Sequence, residues 1–209
     1  MDKYILMCGG EYKAFKTPRQ LTEIKGERVV DRTIRLLREN GVKEIYISSN
    51  NPMFDTCDAV RIENKANNFI QKERGYWLDA FYPTNEKIRY IFGDVWFTEE
   101  AIKTIVNYKT DKDILFGTGI AKNKEHQNWG EPFCYIVNHP EKFHKAIKEV
   151  KKMYDEGKTK RHPIVWELYR YLNGFNVNMQ RINDDTYVCI DDGTIDVDTE
   201  EVIEMLRKK

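Results

Sequence analysis

Residues 3–10 read Lys-Tyr-Ile-Leu-Met-Cys-Gly-Gly, a short apolar run that ends in two adjacent glycines. A run of this length bounded by glycine is typical of a buried strand that opens into a loop. Glycine lets backbone N–H groups come close to a ligand, and the loop cations Lys13 and Lys16 suit an anionic ligand. The stretch therefore predicts a strand over Lys3–Cys8 and a phosphate-binding loop over Gly9–Arg19.

The sequence after this loop predicts a strand–helix–strand unit. Apolar residues recur at helical spacing over Val29–Asn40, and Gly41 supplies the helix stop. The next strand is predicted over Lys43–Ser49, with Ile45 and Ile47 pointing inward. A unit of this kind predicts a mostly parallel sheet with helices on its faces.

The rest of the chain continues the alternation of strands and helices. Further strands are predicted over Leu21–Ile24, Ala59–Ile62, Lys87–Phe92, Ile114–Thr118, Phe133–Val137 and Tyr187–Ile190. Further helices are predicted over Gly75–Phe81, Glu99–Tyr108, Pro140–Tyr154, Pro163–Leu172 and Thr199–Arg207. The expected architecture is an α/β three-layer sandwich with a mostly parallel central sheet.

Length and composition are compatible with one domain over residues 1–209. Hydrophobic residues make up 41% and charged residues 33%, which is enough for a sizeable core and a solvated surface. The formal net charge is +0, so a generally basic nucleic-acid-binding surface is not expected. No signal peptide or membrane-spanning run is recognised, so a cytoplasmic protein without membrane partners is expected. The aromatic residues Trp166, Tyr169 and Tyr171 are interpreted as core or as the surface of a homodimer.

Cysteine and histidine do not form a metal-binding pattern. None of the four cysteines belongs to a C-x-x-C pair, and the four histidines show neither H-x-x-x-H nor H-E-x-x-H spacing. Neither a zinc site nor a redox motif is therefore indicated. Buried, reduced thiols are the expected state of the cysteines in apolar contexts.

Three aspartates are candidate metal ligands. Asp94 follows Gly93 at the end of the predicted strand Lys87–Phe92, where open α/β sheets place ligands. Asp196 and Asp198 are two residues apart, so on an extended segment both face the same side. Mg²⁺ takes a few carboxylate ligands and keeps waters and phosphate oxygens as the others. The alternatives are that Asp94 is a turn residue and that Asp198 only precedes the last helix.

Motifs from both ends of the chain resemble a known family. The first are Met7–Gly10 (Met-Cys-Gly-Gly), Thr17–Leu21 (Thr-Pro-Arg-Gln-Leu) and Ile24–Val30, and the later ones are Gly93–Val95 and Asp196–Glu201. Together they resemble the nucleotidyltransferase superfamily. Its members are the sugar-phosphate and alditol-phosphate nucleotidylyltransferases, the cytidylyltransferases and the molybdopterin guanylyltransferases. The order and rough spacing of the motifs agree with that family over nearly the whole chain.

The resemblance implies a glycosyltransferase-A-like, Rossmann-like fold and a Mg²⁺-dependent enzyme. Such an enzyme transfers a nucleoside monophosphate from a nucleoside triphosphate to a phosphorylated or acidic small molecule, here a sugar or alditol phosphate, and releases pyrophosphate. The Pro-x-Gln-Leu and Asp-x-Asp-Thr forms of two motifs favour CTP, and a role in nucleotide-sugar biosynthesis would follow. The implied nucleotide-binding residues are Cys8, Gly9, Gly10, Lys13, Lys16 and Arg19. The implied metal ligands are Asp94, Asp198 and, as an auxiliary ligand, Asp196, and the implied catalytic residues are Arg19, Asp94 and Asp198.

The chain departs from the family pattern in its first loop. The two glycines are adjacent instead of spaced as G-x-G-x-R, and Arg19 stands after Pro18 where lysine is usual. Arginine is the better bidentate phosphate clamp, but it does not reproduce the compact charge of lysine. One alternative is a glycosyltransferase on the same fold, against which the C-terminal position of the D-x-D motif argues. The other is a catalytically silent nucleotide-binding protein, which the short loop supports.

A further segment, Trp129–Glu131, lies where the family often builds its acceptor pocket. For Trp129 itself, a place in the core or in a loop is the alternative interpretation.

Overall fold

A computed structural model describes residues 3–9, 17–65, 76–119 and 130–208. The strands in these ranges are β1 (Lys3–Met7), β2 (Glu23–Ile24), β3 (Glu27–Arg28), β4 (Ile45–Ser48), β5 (Val60–Ile62), β6 (Ile88–Phe92), β7 (Val95–Trp96), β8 (Ile114–Gly117), β9 (Pro132–Val137), β10 (Tyr187–Cys189) and β11 (Ile195–Asp196). The α-helices are α1 (Val29–Glu39), α2 (Glu99–Asn107), α3 (Pro140–Asp155), α4 (Val165–Leu172) and α5 (Glu200–Lys208).

Seven strands form the central sheet, in the order β10-β8-β9-β6-β1-β4-β5. The pairs β10–β8, β6–β1, β1–β4 and β4–β5 are parallel. Strand β9 runs opposite to both of its neighbours, β6 and β8. The sheet is therefore mostly parallel, as predicted, with one reversed strand that the sequence pattern did not reveal.

Helices in two groups flank this sheet. Helix α1 packs against α2, and α3 packs against α4. All five residues of the inner strand β6 are buried, as expected for a strand covered on both faces. The architecture is the predicted three-layer α/β sandwich.

A smaller apolar cluster ties the end of the chain to its beginning. Val197 and Ile203 pack with Ile24 and Val29, from the β2–β3 hairpin and the start of α1. The guanidinium of Arg207 also donates to the Glu23 carbonyl at 3.3 Å. These contacts fix the segment that precedes α5 beside the first part of the fold.

Most predicted elements lie within two residues of the observed ones. The segment predicted as the helix Gly75–Phe81 is a 3₁₀ turn over Trp77–Ala80 in its described part. The predicted strand Leu21–Ile24 is also shorter, because Arg19–Leu21 forms a 3₁₀ turn before β2.

Threonine side chains cap the N-termini of two helices. Thr98 Oγ1 accepts a hydrogen bond from the Ala101 N–H at 3.0 Å, and Thr199 Oγ1 accepts one from the Val202 N–H at 3.4 Å. Within the described ranges, no helix combines the length and the apolar character needed to cross a bilayer.

Candidate active site

The site lies at the carboxyl end of the central parallel strands. Strands β1 and β6 run side by side with Met7 opposite Phe92, and the Gly93 N–H donates to the Met7 carbonyl at 3.2 Å. Asp94 follows directly and is mostly buried, with 15% of its side chain exposed. Asp94 therefore lies at the carboxyl end of the parallel strands, as the sequence predicted.

Gly93 is required by this close approach of two strand ends. A Cβ at this position would lie 2.4 Å from Cys8 Sγ and 2.7 Å from the Met7 carbonyl oxygen. The backbone oxygen cannot rotate away, so space for the methyl group requires movement of the strand end. Glycine therefore sets how close Asp94 comes to the β1 loop.

We expect Gly93→Ala to destabilise the fold by about 2 kcal/mol or more, the range typical of overpacking a core. The measurement is the free energy of unfolding from urea titrations. The matched control is Gly119→Ala, where the Cβ would meet the carboxyl end of the Asp191 side chain, which can rotate away. The control gives the cost of moving one side chain that accepts a hydrogen bond from the Gly119 N–H. Wild-type stability of Gly93→Ala would show that the strand end yields without cost.

A two-stranded ladder brings the C-terminal aspartates to Asp94. Strand β11 pairs antiparallel with β7, with Asp196 opposite Val95, and the Val197 N–H donates to the Asp94 carbonyl at 2.8 Å. Asp196 and Asp198 flank Val197, which is buried. Their side chains therefore share one side of the segment, as the spacing predicted.

Arg19 joins two of these carboxylates. It begins the 3₁₀ turn Arg19–Leu21, and its guanidinium donates to both Asp94 and Asp198 through separate nitrogens. Only 14% of the Arg19 side chain is exposed, against 43% for Asp198. The sequence predicted Arg19 as a phosphate clamp, and the structure places its charge on the aspartates predicted to hold a metal.

Glu131 is a site residue that the sequence did not single out as a ligand. Its carboxylate oxygen and those of Asp196 and Asp198 all lie within 4.8 Å of one another. Glu131 stands directly before β9, the reversed strand, so the start of β9 lies beside the carboxyl ends of β6 and β8. The direction of β9 is the information that would have located Glu131. In an antiparallel β9, the residue that precedes the strand lies at the site.

The acids of this site share a low-dielectric environment. Burial raises the pKa of Asp196 to about 10, and the charges of Asp94 and Asp198 add to that rise. Burial also raises the pKa of Glu131, followed by the charges of Asp198 and Asp94. For Asp94, burial raises the pKa and the Arg19 charge opposes the rise. Crowded carboxylates with one neighbouring guanidinium favour the entry of a cation.

The donor set fits a hard divalent cation. Mg²⁺ and Mn²⁺ prefer carboxylate oxygens, and three such oxygens converge here. Asp196 Oδ1 is buried and has no hydrogen-bond partner among the residues that the structure describes. A buried polar atom without a partner is costly, and a bound cation would satisfy it.

We expect Asp196→Asn to stabilise the metal-free protein at neutral pH by about 1 kcal/mol or more, because one pKa unit corresponds to about 1.4 kcal/mol. The folded pKa of Asp196 lies above its unfolded value, so its stability contribution falls as pH rises from about 4 towards 10. Asparagine removes this dependence. Urea titrations with a chelator at pH 5 and pH 8 measure the free energy of unfolding of both proteins. The stability of Asp196→Asn relative to the wild-type protein should be larger at pH 8 than at pH 5.

The control for this prediction is Asp185→Asn, since that carboxylate is 75% exposed. It should change stability little at either pH. If Asp196→Asn is more stable than the wild-type protein by the same amount at both pH values, the raised pKa of Asp196 is contradicted.

The predicted nucleotide loop is described only at its ends. Gly9 follows β1, and Cys8 is buried with its N–H donating to the Ser48 carbonyl at 3.0 Å. Burial, and then the charge of Asp94, raises the pKa of the Cys8 thiol. The predicted place of Cys8 and Gly9 in the nucleotide site stays a prediction. Gly10, Lys13, Lys16 and Trp129 lie outside the described residues, so their predicted roles stay predictions.

Solved structures share this fold along the whole chain. The UDP-glucose pyrophosphorylase of Acinetobacter baumanii has 7% sequence identity and a TM-score of 0.63, covering 99% of this chain and 92% of its own. The CTP:phosphocholine cytidylyltransferase of Streptococcus pneumoniae has 14% identity and a TM-score of 0.58, with coverages of 99% and 97%. A Mycobacterium tuberculosis protein solved in complex with manganese has 15% identity and a TM-score of 0.50, with coverages of 99% and 98%.

The chain therefore has the nucleotidyltransferase fold, which confirms the fold that the sequence motifs implied. No protein-family model matches the sequence. No curated protein sequence matches it significantly either. At these sequence identities the similarity shows the fold alone.

Proposed function

We propose that this protein is a nucleotidyltransferase that transfers a nucleoside monophosphate from a nucleoside triphosphate to a phosphorylated small molecule. The observation that supports it best is the cluster of Glu131, Asp196 and Asp198 at the carboxyl edge of a nucleotidyltransferase fold, where Arg19 joins Asp198 to Asp94. Enzymes of open α/β sheets place their ligands at this edge. The two structural relatives named after their reactions are a pyrophosphorylase and a cytidylyltransferase.

The proposed reaction needs no enzyme nucleophile. An oxygen of the acceptor phosphate forms a bond to the α-phosphorus of the nucleotide, and the bond from that phosphorus to the bridging oxygen breaks. The electron pair leaves with pyrophosphate. Catalysis of this kind consists of positioning and of stabilising negative charge on phosphate oxygens.

The carboxylates would hold a Mg²⁺ ion, with Asp94 and Asp198 as shared ligands and Asp196 and Glu131 beside them. When bound, such an ion neutralises triphosphate charge and orients the leaving pyrophosphate. Arg19 is proposed to stabilise the charge on the α-phosphate. The partly buried position of Arg19 strengthens its interaction with an anion, because the surrounding dielectric is low.

We propose a sugar or alditol phosphate as the acceptor and CTP as the preferred nucleotide. The CTP preference is supported by the Pro-x-Gln-Leu and Asp-x-Asp-Thr motifs, and one structural relative uses CTP according to its name. Another relative is named for UDP-glucose, so the base has to be settled by experiment.

The test is pyrophosphate release from a panel of CTP, UTP, dTTP, ATP and GTP with sugar phosphates, alditol phosphates and phosphocholine, each with and without Mg²⁺. Cation-dependent release with one nucleotide and one acceptor supports the proposal. Binding of nucleotides without release from any pair would favour the silent nucleotide-binding protein. Release of a nucleoside diphosphate from a sugar nucleotide would identify a glycosyltransferase instead.

A further inference from the structure

The guanidinium of Arg19 lies between two carboxylates that are proposed to share one metal ion. One terminal nitrogen donates to Asp94 Oδ2 and the other donates to Asp198 Oδ1. The side chains of Arg19 and Asp94 are about 15% exposed, so both ion pairs are partly shielded from water. A single cation of the protein therefore links the strand-end aspartate to the C-terminal aspartate.

This arrangement separates Asp94 from the other acids. In the part of the chain that the structure describes, the converging carboxylate oxygens are those of Glu131, Asp196 and Asp198. Asp94 is not part of that group, and it meets Asp198 through Arg19. One way for Asp94 and Asp198 to bind the same ion is for the guanidinium to leave the position between them.

We propose that Arg19 is an internal counter-ion that exchanges with the divalent cation. Before a metal binds, Arg19 neutralises Asp94 and Asp198 and holds the two segments together. When a divalent cation takes over those carboxylates, Arg19 turns to the triphosphate. This inference rests on the proposed function, because it assumes that Asp94 and Asp198 share one cation.

Two physical facts support the exchange. Arginine keeps its proton at any ordinary pH, so it cannot lose its charge when a divalent cation approaches. Arg19 also ends the predicted nucleotide loop Gly9–Arg19, so a triphosphate bound there would offer it new anionic oxygens. The guanidinium would thus move from one set of anions to another.

A second arrangement makes the opposite prediction. Each carboxylate has further lone pairs, so Arg19 could stay on one oxygen while the metal binds the other. Arg19 would then orient the ligands, and its loss would weaken metal binding. The sign of the change in metal affinity therefore separates exchange from orientation.

The experiment compares Mn²⁺ binding to the wild-type protein, Arg19→Gln and Arg32→Gln, by isothermal titration calorimetry without nucleotide. Arg32 is the matched control, because its guanidinium donates to the Phe97 carbonyl at 3.0 Å and stacks on Trp96. Both variants lose one positive charge of a partly buried arginine. We expect Arg19→Gln to bind Mn²⁺ about tenfold more tightly, at the low end of measured couplings between close charges. Arg32→Gln should change the affinity much less.

A thermal-shift measurement accompanies the titration. Without metal, Arg19→Gln should melt at a lower temperature than the wild-type protein, because Asp94 and Asp198 lose their shared cation. With saturating Mn²⁺ it should gain more in melting temperature than the wild-type protein does, since tighter ligands stabilise the native state more. Lower stability together with tighter binding is the result that exchange predicts.

Weaker or unchanged Mn²⁺ affinity in Arg19→Gln would overturn the exchange and leave the proposed function standing. No Mn²⁺ binding by the wild-type protein or the variant would overturn the metal site of the proposed function and the exchange with it. If Arg19→Gln does not fold, the side-chain guanidinium NMR signals of the wild-type protein decide, with Arg19→Lys used for assignment. An Arg19 signal that does not move when Mg²⁺ is added would contradict the exchange.

Discussion

Asp94→Asn is expected to lower turnover by about a hundredfold or more while the fold persists. The amide keeps the size of the side chain but removes the negative charge that a cation and Arg19 both require. Asp94 follows Gly93 at the end of β6, and backbone hydrogen bonds of Gly93 to Met7 and of Val197 to Asp94 hold the chain there. These bonds do not involve the Asp94 side chain, so the substitution leaves them in place. Steady-state pyrophosphate release at saturating nucleotide and Mg²⁺ measures the effect.

The matched control is Asp113→Asn, at the opposite edge of the sheet. Asp113 is also mostly buried, and its carboxylate accepts hydrogen bonds from the Asn138 and His139 N–H groups. This variant should lose stability but keep the turnover of its folded fraction. Wild-type turnover in Asp94→Asn would remove Asp94 from the chemistry.

The partner of Asp94 is tested by a double-variant cycle with Asp198→Asn. If both bind one ion, each single variant should shift the Mg²⁺ dependence in the same direction, and the double variant should lose far less than the product of the two effects. If the two substitutions act independently, Asp198 does not share an ion with Asp94. Asp198 would then only precede α5, as the alternative interpretation of the sequence allows.

The large elements could be predicted from sequence because their burial has a regular period. Apolar residues recur at helical spacing over Val29–Glu39, and β6 is apolar except for Arg89. Both patterns can be recognised without knowledge of the rest of the chain. The short 3₁₀ turn at Trp77–Ala80 has no such period. Its one aromatic residue, Trp77, stacks on Phe92 with the ring centroids 5.8 Å apart, so tertiary contacts decide the conformation of the turn.

The convergence of Asp94, Asp196 and Asp198 was predicted because strand ends and residue spacing carry information about position. Glu131 was missed because its place depends on the direction of β9, which an apolar run does not encode. The ion pairs of Arg19 were missed for a similar reason. They connect three segments, two of which are brought together by the short β7–β11 ladder, only two residues long on each side, and the third of which is the 3₁₀ turn Arg19–Leu21 beside α1. Local pattern thus located the carboxylates, while non-local pairing determined their partners.

Arg19→Ala is expected to lower kcat by about 10²–10³-fold, the usual cost of losing one electrostatic donor to a developing charge. Its effect on nucleotide binding should be much smaller, because the charge that it stabilises builds up as the acceptor attacks the α-phosphorus. Arg19→Lys should recover part of the loss, since lysine restores the charge but not the bidentate geometry. Single-turnover kinetics and nucleotide titrations on both variants separate the two effects.

An unchanged kcat in Arg19→Ala would show that another cation is the phosphate clamp, and Lys13 and Lys16 would be the next residues to substitute. A slow variant that binds Mn²⁺ more tightly than the wild-type protein would show that the same guanidinium opposes the metal before the reaction and serves the phosphate during it.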